Sequence, residues 1–384
     1  MLSRPFVLSL TIFLLCGFST VLNVILIPYI QSALNLRYTP VAMIQVSFYL
    51  AYFLFSPMSG YLFQHRSYLE GIRAGLFIGA LGTLTLYWAS LTLSFPMIIL
   101  GVFILGAGIA TLQVTGNPYT LMIGNPESAP SRLTLAQAFT SLGTILAPLF
   151  GSLFILSRSG GDTLYLSLTL LWLVALLFSL FSSLPDGKED KQKSPSNPLR
   201  EPFVLFGALA IAASTGMEVT ISTYLTKFVS EVSGLTLSTS GTLMMLFWGG
   251  FFFGRLFGST ILHRYSPQKL ILYSSVSGMG LIVLTVLSSG YVSVVAILLT
   301  GLSLSVLFPV IFSQVLRYCE SPKGAVSGYL CMANIGGAVF PLLQGMMADR
   351  MTLHQSFILP LFGFMYLAFF SGYLRTKKMP ISST

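Results

Sequence analysis

Twelve apolar runs, each long enough to cross a bilayer, occupy almost the whole chain. They begin near residues 5, 40, 72, 96, 132, 163, 202, 237, 269, 291, 324 and 355, and the connections between them are short. A spanning helix needs about 20 predominantly apolar residues. Hydrocarbon offers no water to backbone N–H and C=O groups, so such runs must satisfy their own hydrogen bonds, as α-helices do. Charged residues make up 8% of the chain, against about 25% in a soluble domain. That composition cannot build a wettable surface. The sequence predicts an all-α integral membrane protein with the lipid bilayer as its solvent and no soluble domain.

The formal charge of +9 does not mark a nucleic-acid partner. An even number of spans puts both termini on one side. If that side is the cytoplasm, only Arg37, Arg158, Lys227 and Arg350 lie outside, and the other sixteen of the 20 Lys and Arg residues lie inside. This is the positive-inside pattern; it predicts both termini cytoplasmic and fits a bacterial plasma (inner) membrane. The first run, Pro5 to Ile30, exceeds a signal-peptide core and lacks a small-x-small cleavage site, so it reads as a span. Cys16, Cys319 and Cys331 have no disulfide or zinc spacing, and His65, His263 and His354 form no ligand cluster. No nucleophile–base cluster, metal motif or phosphate-cradling loop is present, so neither an enzyme nor a cofactor is expected.

A hydrophilic stretch near the midpoint divides the chain into 1–184, a cytoplasmic linker 185–201, and 202–384. The halves echo each other. Gly60 to Arg66 follows the second span, and Gly258 to Arg264 follows the eighth, 198 residues later. Gly143, Pro148 and Gly151 in the fifth span match Gly336, Pro341 and Gly345 in the eleventh. Together these echoes favour two pseudo-symmetric six-helix bundles. In carriers built this way the substrate site lies near the midplane between repeats, and access alternates.

Glu218 stands inside the run from Pro202 to Phe228, whereas the other acidic residues lie in loops or at span ends. A carboxylate at bilayer depth costs roughly 2.5–3.5 kcal/mol on insertion scales, so it normally faces a bundle interior or a wet cavity and has a function. The plainer alternative is a structural hydrogen bond to a neighbouring helix.

Several segments then resemble one family. Leu112-Gln113-Val114-Thr115-Gly116-Asn117-Pro118-Tyr119 is similar to the "LQVAANPY" segment of the fucose–glucose/galactose:proton symporter family of the major facilitator superfamily. Ser131 to Gly143 resembles its "SRLNLAQAFNSLG", and Gly216 to Ile221 its "GAEVSI". Phe308 to Ser313 resembles "FPTIFS", and Gly336 to Gly345 resembles "GGAIIPPLQG". The matches run in order over spans four to eleven. The resemblance implies the major facilitator fold and a monosaccharide carrier, a monomer that works with a proton or, in some relatives, sodium. Gln113 points to the glucose/galactose branch, because the fucose branch has Glu there. The chain departs from the family in two places. Val24 stands where "LNDILIP" has Asp, and Gln64 replaces the Asp of "GxLxDR".

The resemblance places Gln113, Asn117 and Gln137 around the sugar, with Asn23 and Asn334 as further candidates. A neutral amide offers both a carbonyl and an NH2, which suits a hydroxyl that donates and accepts. The alternative for each is an interhelical hydrogen bond, worth about 0.6 kcal/mol on average. Gln344, Tyr119, Tyr224 and Trp248 are weaker candidates. Arg66, Arg132, Arg255 and Arg264 read as cytoplasmic span-end residues that brace an inward gate or simply anchor the helices. Glu218 is the cation-coupling candidate: a carboxyl buried in one state and wetted in another binds and releases a proton. A single carboxylate among neutral oxygens would also suit sodium. An uncoupled sugar carrier, an exporter of another solute and a non-transporting sugar sensor remain open from sequence.

Overall fold

The computed structural model describes residues 3–33, 38–64, 66–156, 160–181, 185–186 and 198–376. Its twelve helical spans are α1 (Arg4–Ala33), α2 (Tyr38–Gln64), α3 (Tyr68–Thr92), α4 (Phe95–Met122), α5 (Ala129–Leu156) and α6 (Gly160–Phe181), then α7 (Pro202–Ser233), α8 (Leu237–Ile261) and α9 (Pro267–Leu287). The last three are α10 (Gly290–Tyr318), α11 (Lys323–Ala348) and α12 (Leu353–Arg375). Their starts fall within a few residues of those read from hydropathy. Residues 187–197 of the expected linker, His65, Arg37 and Arg158 lie outside the described residues.

Polar side chains set the helix starts. Ser67 Oγ accepts from Leu69 and Glu70 N–H at the head of α3, and Thr236 and Ser266 cap α8 and α9 in the same way. Thr352 and Gln355 form a reciprocal capping box on α12. Gly234, at φ +71°, ends α7 in the left-handed conformation that glycine adopts without a Cβ penalty. On α6, Leu166, Leu170, Leu173, Val174 and Leu177 are exposed. A soluble protein would hide such a row, whereas lipid solvates it.

Contact clustering gives two compact units. The first comprises 1–125, 139–195 and 322–332; the second comprises 126–138, 196–321 and 333–384. The start of α5 thus belongs to the second unit, and the start of α11 belongs to the first.

In the first unit, glycines let backbones meet. A Cβ on Gly143 of α5 would strike the Leu14 carbonyl and the Phe18 amide of α1. The Gly79 position on α3 is filled by the ring of Trp172, whose Nε1 donates to Ser19 Oγ at 3.1 Å. Pro118 lacks an N–H, so the Val114 carbonyl one turn earlier loses its helical donor. Ser327 Oγ of α11 supplies one at 2.6 Å.

The second unit repeats these devices. A Cβ on Gly336 of α11 would strike the Ala212 backbone of α7, so the matched glycines Gly143 and Gly336 do equivalent jobs. Pro309 likewise orphans the Ser305 carbonyl of α10. Here the donor is Arg255 Nε of α8, at 3.0 Å. At the unit's edge, the Glu201 carboxylate accepts from the Glu320 N–H at 3.0 Å and from the Ser321 N–H, tying the head of α7 to the turn before α11.

Gly143→Val and Gly336→Val should each destabilise the fold by about 1–3 kcal/mol or more, because the clash is with backbone and no side chain can yield. Gly280→Val, where nothing lies within 4 Å, should leave the melting temperature in detergent unchanged. Equal melting of all three variants would contradict this packing account.

Candidate functional site

In the first unit, Gln113 and Asn117 lie one turn apart on α4, on one face of the helix. Asn117 is fully buried and Gln113 half-buried. Asn117 Nδ2 donates to Gln113 Oε1 at 3.3 Å. That bond spends the Gln113 carbonyl and turns its NH2 outward. Among the described residues that NH2 has no partner. Asn117 is also held at the Cys331 thiol. Asn117 therefore orients, and Gln113 presents a free donor. Asn23 lies on α1, with its side chain and that of Val24 outside the described residues.

In the second unit, α7 carries Thr215 and Glu218 one turn apart. Thr215 Oγ1 donates to Asn334 Oδ1 at 2.9 Å. Asn334 occupies the short 3-10 turn Ala333–Ile335 that interrupts α11. Its carbonyl is thus spent and its NH2 is left available, the same arrangement as at Gln113. Glu218 is half-buried and lies within electrostatic reach of Arg255. Arg255 Nη1 donates to the Gln137 carbonyl of α5 at 3.0 Å, Nε to the Ser305 carbonyl, and the guanidinium lies 5.2 Å from the Phe251 ring centroid. Gln137 is buried. The second unit thus brings together Glu218, Arg255 and the Gln137 backbone.

Arg255 does not stand with the other arginines expected at span ends. Arg66 and Arg264 are exposed, and Arg132 is half-buried with Nη1 on Ser128 Oγ. Arg255 lies inside α8 at 5% exposure. The reason is physical: Pro309 leaves a carbonyl that needs a donor, and Arg255 reaches it. Sequence reasoning missed Ser305 and Thr215. The FPV signal at Phe308 to Val310 could have exposed Ser305, since a proline inside a span always frees the carbonyl four residues back.

The weaker candidates separate cleanly. Gln344 accepts from Thr220 at 2.8 Å and donates to Ser356 at 3.3 Å, so both ends of its amide are used in packing. Tyr224 donates to the carbonyl of Pro341 itself at 2.9 Å. Trp248 packs against Phe247 and Phe251. Ser131 of α5 donates to the Ser259 carbonyl at 2.6 Å and meets His263 Nε2 at 3.1 Å, a second bond between the start of α5 and α8. No group of three or more His, Cys, Asp or Glu residues that could hold a metal occurs among the described residues.

Comparison with known proteins agrees with this architecture. Residues 8–341 match the Major Facilitator Superfamily model. The chain is 36% identical to a glucose/galactose transporter of Brucella abortus, over 96% of this chain and 94% of that one. It is 33% identical to a putative glucose/galactose transporter of Helicobacter pylori, over 96% and 97%. It is 28% identical to the L-fucose-proton symporter of Escherichia coli, over 90% and 87%. The crystal structure of the transporter FucP in the outward conformation superposes with a TM-score of 0.88 at 26% identity, covering 96% of this chain and 98% of that one. The chain belongs to the Major Facilitator Superfamily, in the sugar:proton symporter family that contains both the glucose/galactose and the fucose branches.

Proposed function

We propose that this protein is a secondary active carrier that moves a hexose of the glucose/galactose class in symport with a proton, by alternating access. The relatives named for glucose and galactose support the substrate class. The observation that carries the coupling is Glu218: among the described residues it is the one carboxyl in the interior of a span, it is half-buried, and it lies beside a buried guanidinium. The protein works as a monomer in a bacterial inner membrane with both termini in the cytoplasm, in line with its Lys and Arg distribution.

The free NH2 groups of Gln113 and Asn334 donate to sugar hydroxyls, each held in place by a bond to its own carbonyl. Gln137 and Asn23 complete the proposed sugar set, and Asn117 orients Gln113. Ionised Glu218 offsets the charge of Arg255. A proton on Glu218 removes that offset and leaves the charge of a buried guanidinium uncompensated by a carboxylate, an unfavourable state in a poorly solvated setting. Since one of those carbonyls belongs to Gln137, protonation changes the free energy of the contact between the start of α5 and α8. Arg66, Arg132 and Arg264 brace the cytoplasmic ends.

Glu218→Gln should abolish accumulation of labelled glucose in proteoliposomes under an inward proton gradient, while exchange of glucose down its gradient persists. Accumulation at the wild-type level would refute the coupling role. Arg255→Met strands the Ser305 carbonyl, at a cost of about 1–3 kcal/mol. It should lower the melting temperature and stop both accumulation and exchange. An Arg255→Met protein with wild-type exchange would contradict the role given to the Gln137 contact.

A further inference from the structure

A cavity of about 540 Å³ opens on the first unit between α1, α5 and α6. Its α1 wall is Val7, Thr11, Leu14 and Phe18, a single helical stripe, and its α6 wall includes Leu171, Val174 and Phe178. Two hydroxyls line it, and both are spent on their own helices: Thr11 donates to the Val7 carbonyl at 3.0 Å and Ser167 to the Thr163 carbonyl at 2.8 Å. Neither has a proton left to donate to a sugar or other polar solute. Leu171 and Val174 are 51% and 61% exposed, so the groove is open to what surrounds the protein.

A cation lies just beyond the groove's lining on α1. Arg4 lies one turn before Val7 on the same stripe. It is exposed, and among the described residues it makes no hydrogen bond or ion pair. From Val7 to Phe18 the α1 wall is about 17 Å long at 1.5 Å per residue. One leaflet of a hydrocarbon core about 30 Å thick is about 15 Å deep. The far end is closed by Phe18 and Phe150, whose rings meet edge-on at 5.9 Å. By helix spacing, Arg4 thus continues the α1 stripe beyond the lining of an apolar slot about one leaflet deep.

We propose that this groove is a binding site for an anionic phospholipid of the surrounding bilayer, with one acyl chain along α1 and α6 and the phosphate on Arg4. Arg pairs with phosphate through two parallel N–H donors, and in a zwitterionic lipid the head group's own ammonium competes for that phosphate. The site is separate from the sugar and proton residues and does not rest on the transport reading.

The test uses the whole purified protein in nanodiscs with phosphatidylglycerol or phosphatidylcholine, each carrying a photoreactive acyl chain, and maps the adducts by mass spectrometry. Phosphatidylglycerol adducts should concentrate on the groove residues of α1 and α6. Val174→Trp, which fills the open side, should remove them, while adducts on α3 and α9 remain. Arg4→Gln should lower phosphatidylglycerol labelling of the groove about fivefold, the factor expected for one cation at an anionic surface, and lower phosphatidylcholine labelling by less. Adducts spread evenly over the lipid-facing helices, or groove labelling unaffected by both substitutions, would overturn the proposal. So would a purified dimer that Val174→Trp converts to a monomer, because a second copy would then be the occupant. Melting temperatures of both variants, expected to equal the wild type, exclude misfolding as the cause of lost labelling.

Discussion

A backbone carbonyl without a donor inside a bilayer is the constraint on which much of this structure depends. Water is absent there, so a proline within a span creates a debt that a neighbouring helix must meet. Pro118 frees the Val114 carbonyl and Ser327 answers it; Pro309 frees the Ser305 carbonyl and Arg255 answers it. The second solution brings a full positive charge into the protein interior. That charge is tolerable because Glu218 lies within reach and the Phe251 ring face lies beneath it. A local backbone defect thus leads, through one long side chain, to the charged centre proposed to couple the proton.

Close backbone approach is the complementary constraint. Lipid tails are as apolar as leucine, so helices gain little by hiding apolar side chains from lipid and associate by tight packing instead. Gly143 against α1 and Gly336 against α7 perform the same job at matched places in the two halves of the sequence. The sequence echo is therefore a record of equivalent contacts. In α5 and α11 these are positions where any Cβ would collide with the neighbouring backbone. Their starts, by contrast, are held by individual hydrogen bonds such as those from Arg255, Ser131 and Ser327.

The twelve spans were legible because membrane insertion is written in hydropathy, residue by residue, and helix starts add Ser, Thr and Pro. Glu218 was legible because a carboxylate is costly at that depth. Arg255 was misplaced because a cation near the end of an apolar run looks like an interface anchor. Only its partner, the Ser305 carbonyl freed by Pro309 and fifty residues away in sequence, shows otherwise. The amides could be named but not ranked from sequence. Gln344 and Asn334 have the same chemistry, yet Thr220 and Ser356 use up one while Thr215 uses half of the other. Such distinctions are set by tertiary partners and leave no local trace.

The proposed mechanism requires that sugar and proton move together. The most direct measurement is the external pH of a weakly buffered suspension of wild-type proteoliposomes on addition of glucose or galactose, with sugar entry recorded in parallel. Symport predicts alkalinisation that starts with sugar entry, scales with it and is abolished by a protonophore. Sugar entry with no change in pH would contradict the account and leave Glu218 as a structural partner of Arg255.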